Sequence, residues 1–235
     1  MQDTVPERAR VFDRRLLRVR RERAAPNLHA HDFLLSEIGD RLADRLADVT
    51  RKFPLALDLG CRDGVLARVL AGRGGIETLL QSDLSRRNVA AAQQHGPSFV
   101  ADEELLPIRS QSLDAILSNL SLHWVNDLPG ALAQIRDALK PDGLFIASMF
   151  GAGTLTELRT CLMEAELAES GGVSPRVSPY AGLRDTAALL QRAGFALPVA
   201  DSDTLTVTYP DLFHLLADLR GIGETNLSLD RLKHP

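Results

Sequence analysis

The sequence has 235 residues, of which 45% are hydrophobic and 25% are charged, as is typical of one globular domain with or without an appendage. The net charge of −4 gives no general attraction for nucleic acid, and no apolar run approaches the ~18–20 residues that span a bilayer. We therefore expect neither a nucleic-acid partner nor a transmembrane segment. The two cysteines have neither metal-binding nor redox spacing, which favours a reducing compartment. His29 and His31 have no third ligand in sight, and we expect them at the surface or in a lid rather than at a metal site.

The N-terminal region predicts a basic helix over residues 8–23, which contain eight arginines and a partial apolar stripe. Two readings of this helix stay open: it covers a ligand site or meets a partner, or it is a solvated charged helix. From Asp32 onward, apolar residues recur at steps of three and four, which predicts an amphipathic helix packed on a sheet. We take residues 1–50 as a helical extension or lid and residues 51–235 as the main domain.

The strongest local motif runs from Leu55 to Gly64 and predicts a buried strand, a tight turn and the start of a helix. Gly60 and Gly64 let the backbone come close to a ligand, and the free N–H groups of a helix start attract negative charge. Asp58 lies near the C-terminal end of the strand, where open α/β sheets bind ligands, and its carboxylate suits a cationic amino group. Cys61 lies in the turn, and we expect it to pack there rather than to act as a nucleophile.

Acidic residues also follow the next two predicted strands. The second strand, over residues 77–82, ends at Asp83, 19 positions after Gly64 and close to the ~20-residue spacing at which a carboxylate meets ribose hydroxyls. An acidic cluster that begins at Asp102 follows a short strand around residues 98–100. Acidic groups at the ends of three successive strands suit a nucleoside that carries an amine and a sulfonium, and they suit a dinucleotide poorly.

The rest of the core alternates strands and helices, which predicts a parallel, doubly wound α/β sheet. The predicted elements are a helix from Ser85 to Gln94, a strand over 115–118, a helix capped by Asp127, a turn over 140–143 and a strand over 144–147. Asn119, His123 and Trp124 follow the fourth strand, and we expect them to border the reacting centre. His123 either acts as a base or orients the substrate, or it is a histidine fixed by hydrogen bonds to its neighbours.

The C-terminal third of the chain begins with a predicted helix over 154–168. Residues 170–180 follow, and their glycine, proline and serine content predicts a mobile loop that is a candidate lid. After a predicted helix over 185–193, the alternating β-branched residues 204–209 predict a strand. Pro210 opens the last predicted helix.

The run from Leu57 to Gly64, followed by Asp83 and by Asp102, resembles the class I S-adenosylmethionine-dependent methyltransferases. The resemblance implies a Rossmann-like sheet in which the first motif contacts the methionine part of the cofactor, Asp83 the ribose hydroxyls and Asp102 the adenine. The implied cofactor-binding set is Asp58, Gly60, Cys61, Gly64, Asp83, Leu84, Asp102, Glu103 and Asn119. The family usually has glycine at the position of Arg62, where a side chain would crowd the cofactor. A doubly wound fold that has lost its ligand stays open as the alternative.

Segments outside the cofactor motif, at residues 118–129, 139–146 and 221–226, resemble the family of mitochondrial complex I assembly factor 5 and its bacterial relatives. A more distant resemblance is to the malonyl-carrier-protein O-methyltransferase of biotin synthesis. The assembly factor is described as hydroxylating an arginine of a complex I subunit. The family chain continues past the position of Pro235 with the last strand of the sheet. Either the protein is shortened or the sequence is part of a longer chain, and we expect the predicted strand over 204–209 to lack the neighbour that this last strand supplies.

These resemblances imply an S-adenosylmethionine-dependent enzyme that acts on a protein or carrier-bound acceptor, such as a respiratory complex I subunit. His123 and Trp124 are the catalytic candidates, and the sequence shows neither a two-His-one-carboxylate iron site nor a flavin motif. The expected location is the bacterial cytoplasm, or the mitochondrial matrix in a eukaryote. A non-catalytic assembly or binding protein that keeps the fold is the alternative, and the oligomeric state stays open.

Overall fold

The computed structural model describes residues 10–232, and its centre is a sheet of five parallel strands. The strands are β1 (Phe53–Leu59), β2 (Ile76–Asp83), β3 (Ser98–Val100), β4 (Leu113–Asn119) and β5 (Leu139–Ser148), in the spatial order β3-β2-β1-β4-β5. The parallel α/β sheet that the alternation of strands and helices predicts is confirmed. Because the strand order reverses between β1 and β4, a crevice opens at their carboxyl ends, where sheets of this kind bind ligands.

Helices cover both faces of the sheet. The α-helices of the described residues are α1 (Arg14–Ala24), α2 (Phe33–Ala47), α3 (Val65–Leu70), α4 (Arg86–Ala92), α5 (Leu128–Ala138), α6 (Thr156–Ser170), α7 (Leu183–Arg192) and α8 (Leu212–Gly221). On one face, α2 and α3 pack with Ala56 of β1 and Leu117 of β4, and on the other face α5 packs with Leu57 and Ile116. Successive residues of the two central strands thus enter opposite apolar layers, which is why both strands are nearly continuous apolar runs.

A short antiparallel clasp joins the segment before α1 to the segment after α8. Phe12 and Ser228 form an isolated β-bridge, and the N–H of Asp13 donates to the carbonyl of Leu227 at 2.9 Å. The guanidinium of Arg231 adds an ion pair with Asp13 at 3.1 Å. The clasp therefore fixes the start of α1 beside the segment that follows α8.

Two local predictions are wrong. In the part of the chain that the structure describes, residues 204–209 form no strand, and residues 204–208 are exposed. Alternating β-branched residues form a strand only beside a neighbour, and the described sheet ends at β5. The predicted turn over 140–143 belongs to β5 instead, where the register with β4 shifts and Asp142 takes a φ of 61°. The other predicted elements are present with shifted ends, the largest shift being at α1, which begins at Arg14.

The predicted mobile loop over residues 170–180 corresponds to residues 171–182, which form neither helix nor strand, while Ser170 is the last residue of α6. The hydroxyl of Ser174 donates to Glu166 of α6 at 2.7 Å, and the hydroxyl of Ser178 donates to the side chain of Asn226 at 3.0 Å. The loop is thus tied to α6 and to the segment after α8. Its mobility stays a prediction.

Residues 1–9 of the predicted N-terminal extension and residues 233–235 of the predicted main domain lie outside the described residues. Over residues 10–232, no helix combines the length and the apolar character needed to cross a bilayer. The division of the chain into a lid and a main domain stays a prediction. The observation that bears on it is the contact between α1 and the crevice, which is described below.

Candidate functional site

The turn between β1 and α3 has the left-handed backbone that its glycines predict. Gly60 and Gly64 have φ angles of 84° and 92°, and the N–H of Gly60 donates to the carbonyl of Ser82 at 2.8 Å. A Cβ at Gly60 would lie 2.1 Å from the hydroxyl of Ser121, so a side chain has no room there. Arg62 has a φ of 55°, a conformation that costs a non-glycine residue about 1 kcal/mol.

Asp58 is a buried carboxyl group without a partner. It is the next-to-last residue of β1, it is completely buried, and neither of its oxygens has a hydrogen-bond partner in the described residues. Burial, with a contribution from the charge of Asp83, raises the pKa of Asp58 from 3.8 to about 8. A buried carboxyl group of this kind either keeps its proton or receives a cation. The position therefore fits the cationic amino group of a ligand.

Asp83, at the end of β2, has a full set of protein partners. One of its oxygens accepts from the N–H of Ser85 at 2.7 Å and from the side chain of Asn88 at 3.2 Å. The other accepts from the N–H of Arg62 at 3.1 Å and from the guanidinium of Arg21 at 3.3 Å. Both oxygens of Asp83 are thus engaged by groups of the protein itself, one of them by the guanidinium of Arg21.

The basic helix α1 lies across the carboxyl ends of the strands and inserts Arg21 into the crevice. Arg21 is fully buried and shares the inner face of α1 with Leu17 and Ala24. Its guanidinium donates to Glu103 at 2.9 Å and to the hydroxyl of Ser121 at 2.8 Å. The helix is therefore not fully solvated, because its inner face packs over the crevice.

Two acidic residues after β3 complete this side of the crevice. Glu103 is buried between Arg21 and Arg14, and the half-buried Asp102 also pairs with Arg14. Burial alone would raise the pKa of Glu103, but the guanidinium groups of Arg14 and Arg21 hold it well below its usual range. Glu103 is therefore ionised, and α1 supplies its counter-charges.

A second buried cluster surrounds Glu224, in the segment after α8. One oxygen of Glu224 accepts from the indole N–H of Trp124 at 2.7 Å and lies 2.9 Å from Nε2 of His123, while the other pairs with Arg62. Burial alone would raise the pKa of Glu224, but His123 and Arg62 hold it at about 2. Burial lowers the pKa of His123, so we assign a neutral ring whose Nε2 proton faces the carboxylate. Nδ1 is then an unprotonated, buried nitrogen that has no hydrogen-bond partner in the described residues.

Aromatic rings enclose His123. The ring centroids of Phe150, Trp124 and Tyr180 lie 4.8, 4.9 and 5.6 Å from the centroid of the imidazole. These rings keep water away from the imidazole, so this end of the crevice can orient a group or take up a proton in a dry environment.

Comparison with known proteins gives the family. Residues 57–147 match the family described as Methyltransferase domain. Human arginine-hydroxylase NDUFAF5, mitochondrial, is 45% identical over 97% of this chain and 67% of its own length. The chain belongs to the methyltransferase family that includes NDUFAF5. Malonyl-[acyl-carrier protein] O-methyltransferase of Xylella fastidiosa (strain M23), a more distant relative, is 32% identical over 94% of this chain and 75% of its own length.

A solved structure confirms the fold of this methyltransferase family. A complex between the Haloferax volcanii Trm112 methyltransferase activator and a methyltransferase matches with a TM-score of 0.63 and 19% identity, over 83% of this chain and 84% of that chain. The Rossmann-like class I methyltransferase fold predicted from the sequence is thereby confirmed.

Four residues predicted to bind the family's cofactor lie together in the crevice: Asp58, Gly60, Asp83 and Glu103. Asp102 lies beside them and is held by Arg14. Their role in cofactor binding stays a prediction.

The other predicted cofactor residues make packing contacts. The amide of Asn119 donates to a backbone carbonyl of α2 at 2.8 Å, and Leu84 packs against the buried cluster beneath α1. Cys61 is buried, and burial raises the pKa of its thiol well above the ordinary value, which leaves it a poor nucleophile. A Cβ at Gly64 would lie 2.6 Å from the ring of His95.

Three residues of the site escape prediction from the sequence: Arg21, Ser121 and Glu224. Their partners lie far away in the chain, for example 62 positions between Arg21 and Asp83. One signal for Arg21 exists, because it stands four positions after Leu17 and therefore on the same face of α1. For Glu224, the only signal is its place in the segment 221–226 that the family resemblance singles out.

Proposed function

We propose that this chain binds S-adenosylmethionine and modifies a protein or carrier-bound acceptor, with a respiratory complex I subunit as the leading case. The name of the human relative, a mitochondrial arginine hydroxylase, and that of the Xylella enzyme, a methyltransferase of malonyl-[acyl-carrier protein], support an acceptor of this kind. The proposed location is the bacterial cytoplasm, or the mitochondrial matrix in a eukaryote.

The unpaired carboxyl group of Asp58 is the observation that carries this proposal. A buried ionisable group without a partner destabilises a protein, and an apolar residue of similar size would be more stable at the same position. The methionine part of S-adenosylmethionine carries a cationic amino group that would satisfy both oxygens. We therefore infer that the ligand supplies the partner that Asp58 lacks within the protein.

The remaining residues proposed to hold the cofactor are the turn glycines Gly60 and Gly64, Asp83 for the ribose, and Asp102 with Glu103 near the adenine. When bound, the cofactor supplies a methyl group on a sulfonium, ready for transfer to a nucleophile. The chain then has to align that nucleophile at about 3–3.5 Å and exclude water.

The aromatic rings that surround His123 would exclude water from this step. Nδ1 of His123 is the buried, unprotonated nitrogen that can accept the proton released by an attacking acceptor. Trp124 and Glu224 hold the ring in this orientation, because both hydrogen bonds converge on the same carboxylate oxygen. We therefore propose His123 as the base and Trp124 as a positioning residue.

Methyl transfer is the reaction for which the described side chains have roles. Over residues 10–232, no three His, Cys, Asp or Glu side chains are grouped so as to hold a metal ion, and His31 pairs with Asp218. We assign no role to these side chains in a hydroxylation, the reaction that the name of the human relative states. Mass spectrometry of the modified acceptor distinguishes the two products, an added methyl group or an added oxygen atom.

We also propose that α1 acts as a lid. Arg21 holds Asp83 and Glu103, so an adenosine group reaches these carboxylates only when Arg21 withdraws. We expect Arg21→Ala to bind S-adenosylmethionine about three- to tenfold more tightly, since the competing contact is gone. Arg18→Ala, on the exposed face of α1, is the matched control. Weaker binding by Arg21→Ala would show that Arg21 is a ligand contact and not a competitor.

A non-catalytic assembly or binding protein is the second candidate function. Two buried guanidinium groups, those of Arg21 and Arg62, lie in the crevice, and each is anchored to a carboxylate. If both stay in place, Asp83, Glu103 and Glu224 remain paired with these guanidinium groups and are not available to a cofactor. Arg62→Gly discriminates between the candidates, because a gain of about tenfold or more in cofactor affinity would mean that the native site is degenerate.

Calorimetric titration of the purified chain with S-adenosylmethionine and S-adenosylhomocysteine tests the proposal. We expect dissociation constants of the order of micromolar, lost in Asp83→Ala and at least about tenfold weaker in Asp58→Asn. Asp114→Asn, at the opposite end of the central strands, is the control that should bind normally. Absence of binding at millimolar ligand would overturn the proposal in favour of the assembly protein.

A further inference from the structure

A cavity of about 400 Å³ lies beside the His123 cluster, between α1, α6 and α8. One wall is apolar and consists of Leu155, Leu158, Leu162, Leu216 and Leu219. The rim is cationic and consists of Arg20, Arg23, Arg176 and Arg220. The cavity is thus amphipathic, and all the charges on its rim have the same sign.

Within the described residues, carboxylates neutralise this rim only in part. Arg176 pairs with Glu166 of α6 at 2.8 Å, but among residues 10–232 no carboxylate forms an ion pair with Arg23 or Arg220. Among the described residues that line the cavity, Glu224 is the only acidic one, and it is already paired with the buried partners described above. The rim therefore has unpaired positive charge available to a ligand.

The environment of Arg20, one of the rim arginines, shows the same excess of positive charge. It is half-buried, and its guanidinium donates to the backbone carbonyl of Asn226. Burial and the nearby charges of Arg231 and Arg23 lower the pKa of Arg20. An anion bound beside Arg20 would relieve this repulsion.

The cavity also reaches the proposed reacting centre. Tyr180 and Glu224 line it, and the same two residues contact His123, with ring centroids 5.6 Å apart and an Nε2–Oε2 distance of 2.9 Å. A ligand in the cavity would therefore have one end next to the His123 cluster.

We propose that this cavity binds an aliphatic chain that carries a carboxylate, with the chain against the leucines and the carboxylate at the arginine rim. An arginine side chain is the wrong occupant, because its guanidinium would meet Arg23 and Arg220, which have the same charge and no carboxylate partner among residues 10–232. The further claim that this ligand is the acceptor of the reaction rests on the proposed function, whereas the binding itself does not.

Titration of the full chain with octanoate tests the proposal, with octylamine as the cationic probe of equal length. Binding is measured by calorimetry and by the emission of Trp124, the only tryptophan, whose ring lies 6.0 Å from Tyr180. We expect octanoate to bind with a dissociation constant of about 0.1–1 mM and octylamine at least about tenfold more weakly. Arg23→Gln and Arg220→Gln should each weaken octanoate binding about two- to fivefold. Arg184→Gln, on α7 and outside the cavity, should leave it unchanged.

Failure to bind octanoate, equal binding of both probes, or unchanged affinity in the double variant of Arg23 and Arg220 would each overturn the proposal. S-adenosylmethionine is titrated into the same preparation. If octanoate binds and the cofactor does not, the cavity proposal stands and the proposed function fails. If the cofactor binds and octanoate does not, only the cavity proposal fails.

Discussion

Replacing Asp58 by asparagine should stabilise the protein at neutral pH while it weakens cofactor binding. The folded protein raises the pKa of Asp58 from 3.8 to about 8, chiefly by burial. Between these two values the unfolded chain has lost the proton and the folded chain has kept it. Stability contributed by the protonated form is therefore fully present below about pH 4 and is lost as the pH rises to about 8, at about 1.4 kcal/mol per pH unit.

The size of the effect at pH 7 follows from the same pKa values. Neutral pH lies about three units above the unfolded pKa, which gives an upper limit of about 4 kcal/mol for the destabilisation caused by Asp58. Asparagine has nearly the same shape and cannot ionise. Relaxation around the carboxyl group reduces the effect, so we expect Asp58→Asn to raise the free energy of unfolding by about 2–4 kcal/mol at pH 7.

Urea unfolding followed by Trp124 emission measures this difference between pH 5 and about pH 8. Other titrating groups, including His123, are common to both proteins, so the difference between the two curves isolates Asp58. We expect that difference to grow with pH and to grow less steeply as the pH approaches 8, where the carboxyl group of the folded protein begins to ionise. A difference that does not change with pH, or an asparagine variant that is less stable than the wild type, would refute the reasoning. Either result would show that the carboxylate is ionised and has a partner in the folded protein.

Two further substitutions test the cluster around Glu224 and the turn at Gly60. Glu224→Gln should lower the pKa of His123 further, because the carboxylate charge opposes the effect of burial, and an NMR titration of the ring that shows no change would mean that the pair does not form. Gly60→Ala should lower the free energy of unfolding by about 2–4 kcal/mol, because the new Cβ would lie 2.1 Å from the hydroxyl of Ser121 on a backbone with a φ of 84°. Gly153→Ala, with open space around it, should change stability by less than about 0.5 kcal/mol in the same denaturation assay, and equal losses in both variants would contradict the steric argument.

The sequence predicts the crevice well because its geometry follows from topology. Buried parallel strands bring their carboxyl ends to one edge, so Asp58, Asp83 and Glu103 must come close once the order of the strands is known. The glycines of the turn indicate a left-handed backbone conformation, which can be predicted from the sequence because it depends on local residues alone.

What covers the crevice is not predictable in the same way. Arg21 and Glu224 reach their partners through contacts that span 62 and 162 positions, and no periodicity or turn motif encodes such contacts. The eight arginines spread over residues 8–23 show that the helix is charged but not where it packs, and only the position of Leu17 shows that one of them faces inward. The prediction of a strand over 204–209 is wrong for a related reason. Alternating side chains indicate which residues would share a face of a sheet, but they do not supply the neighbouring strand that a sheet needs.

The clasp between Phe12 and Ser228 joins residues more than 200 positions apart in the chain. During synthesis, all five strands leave the ribosome before Ser228 does, and contacts of such long range form slowly. A nascent chain can therefore complete its sheet while α1 is still without the clasp that fixes it. In that interval the clasp does not yet hold Arg21 against Asp83 and Glu103, the two carboxylates that Arg21 contacts in the folded protein.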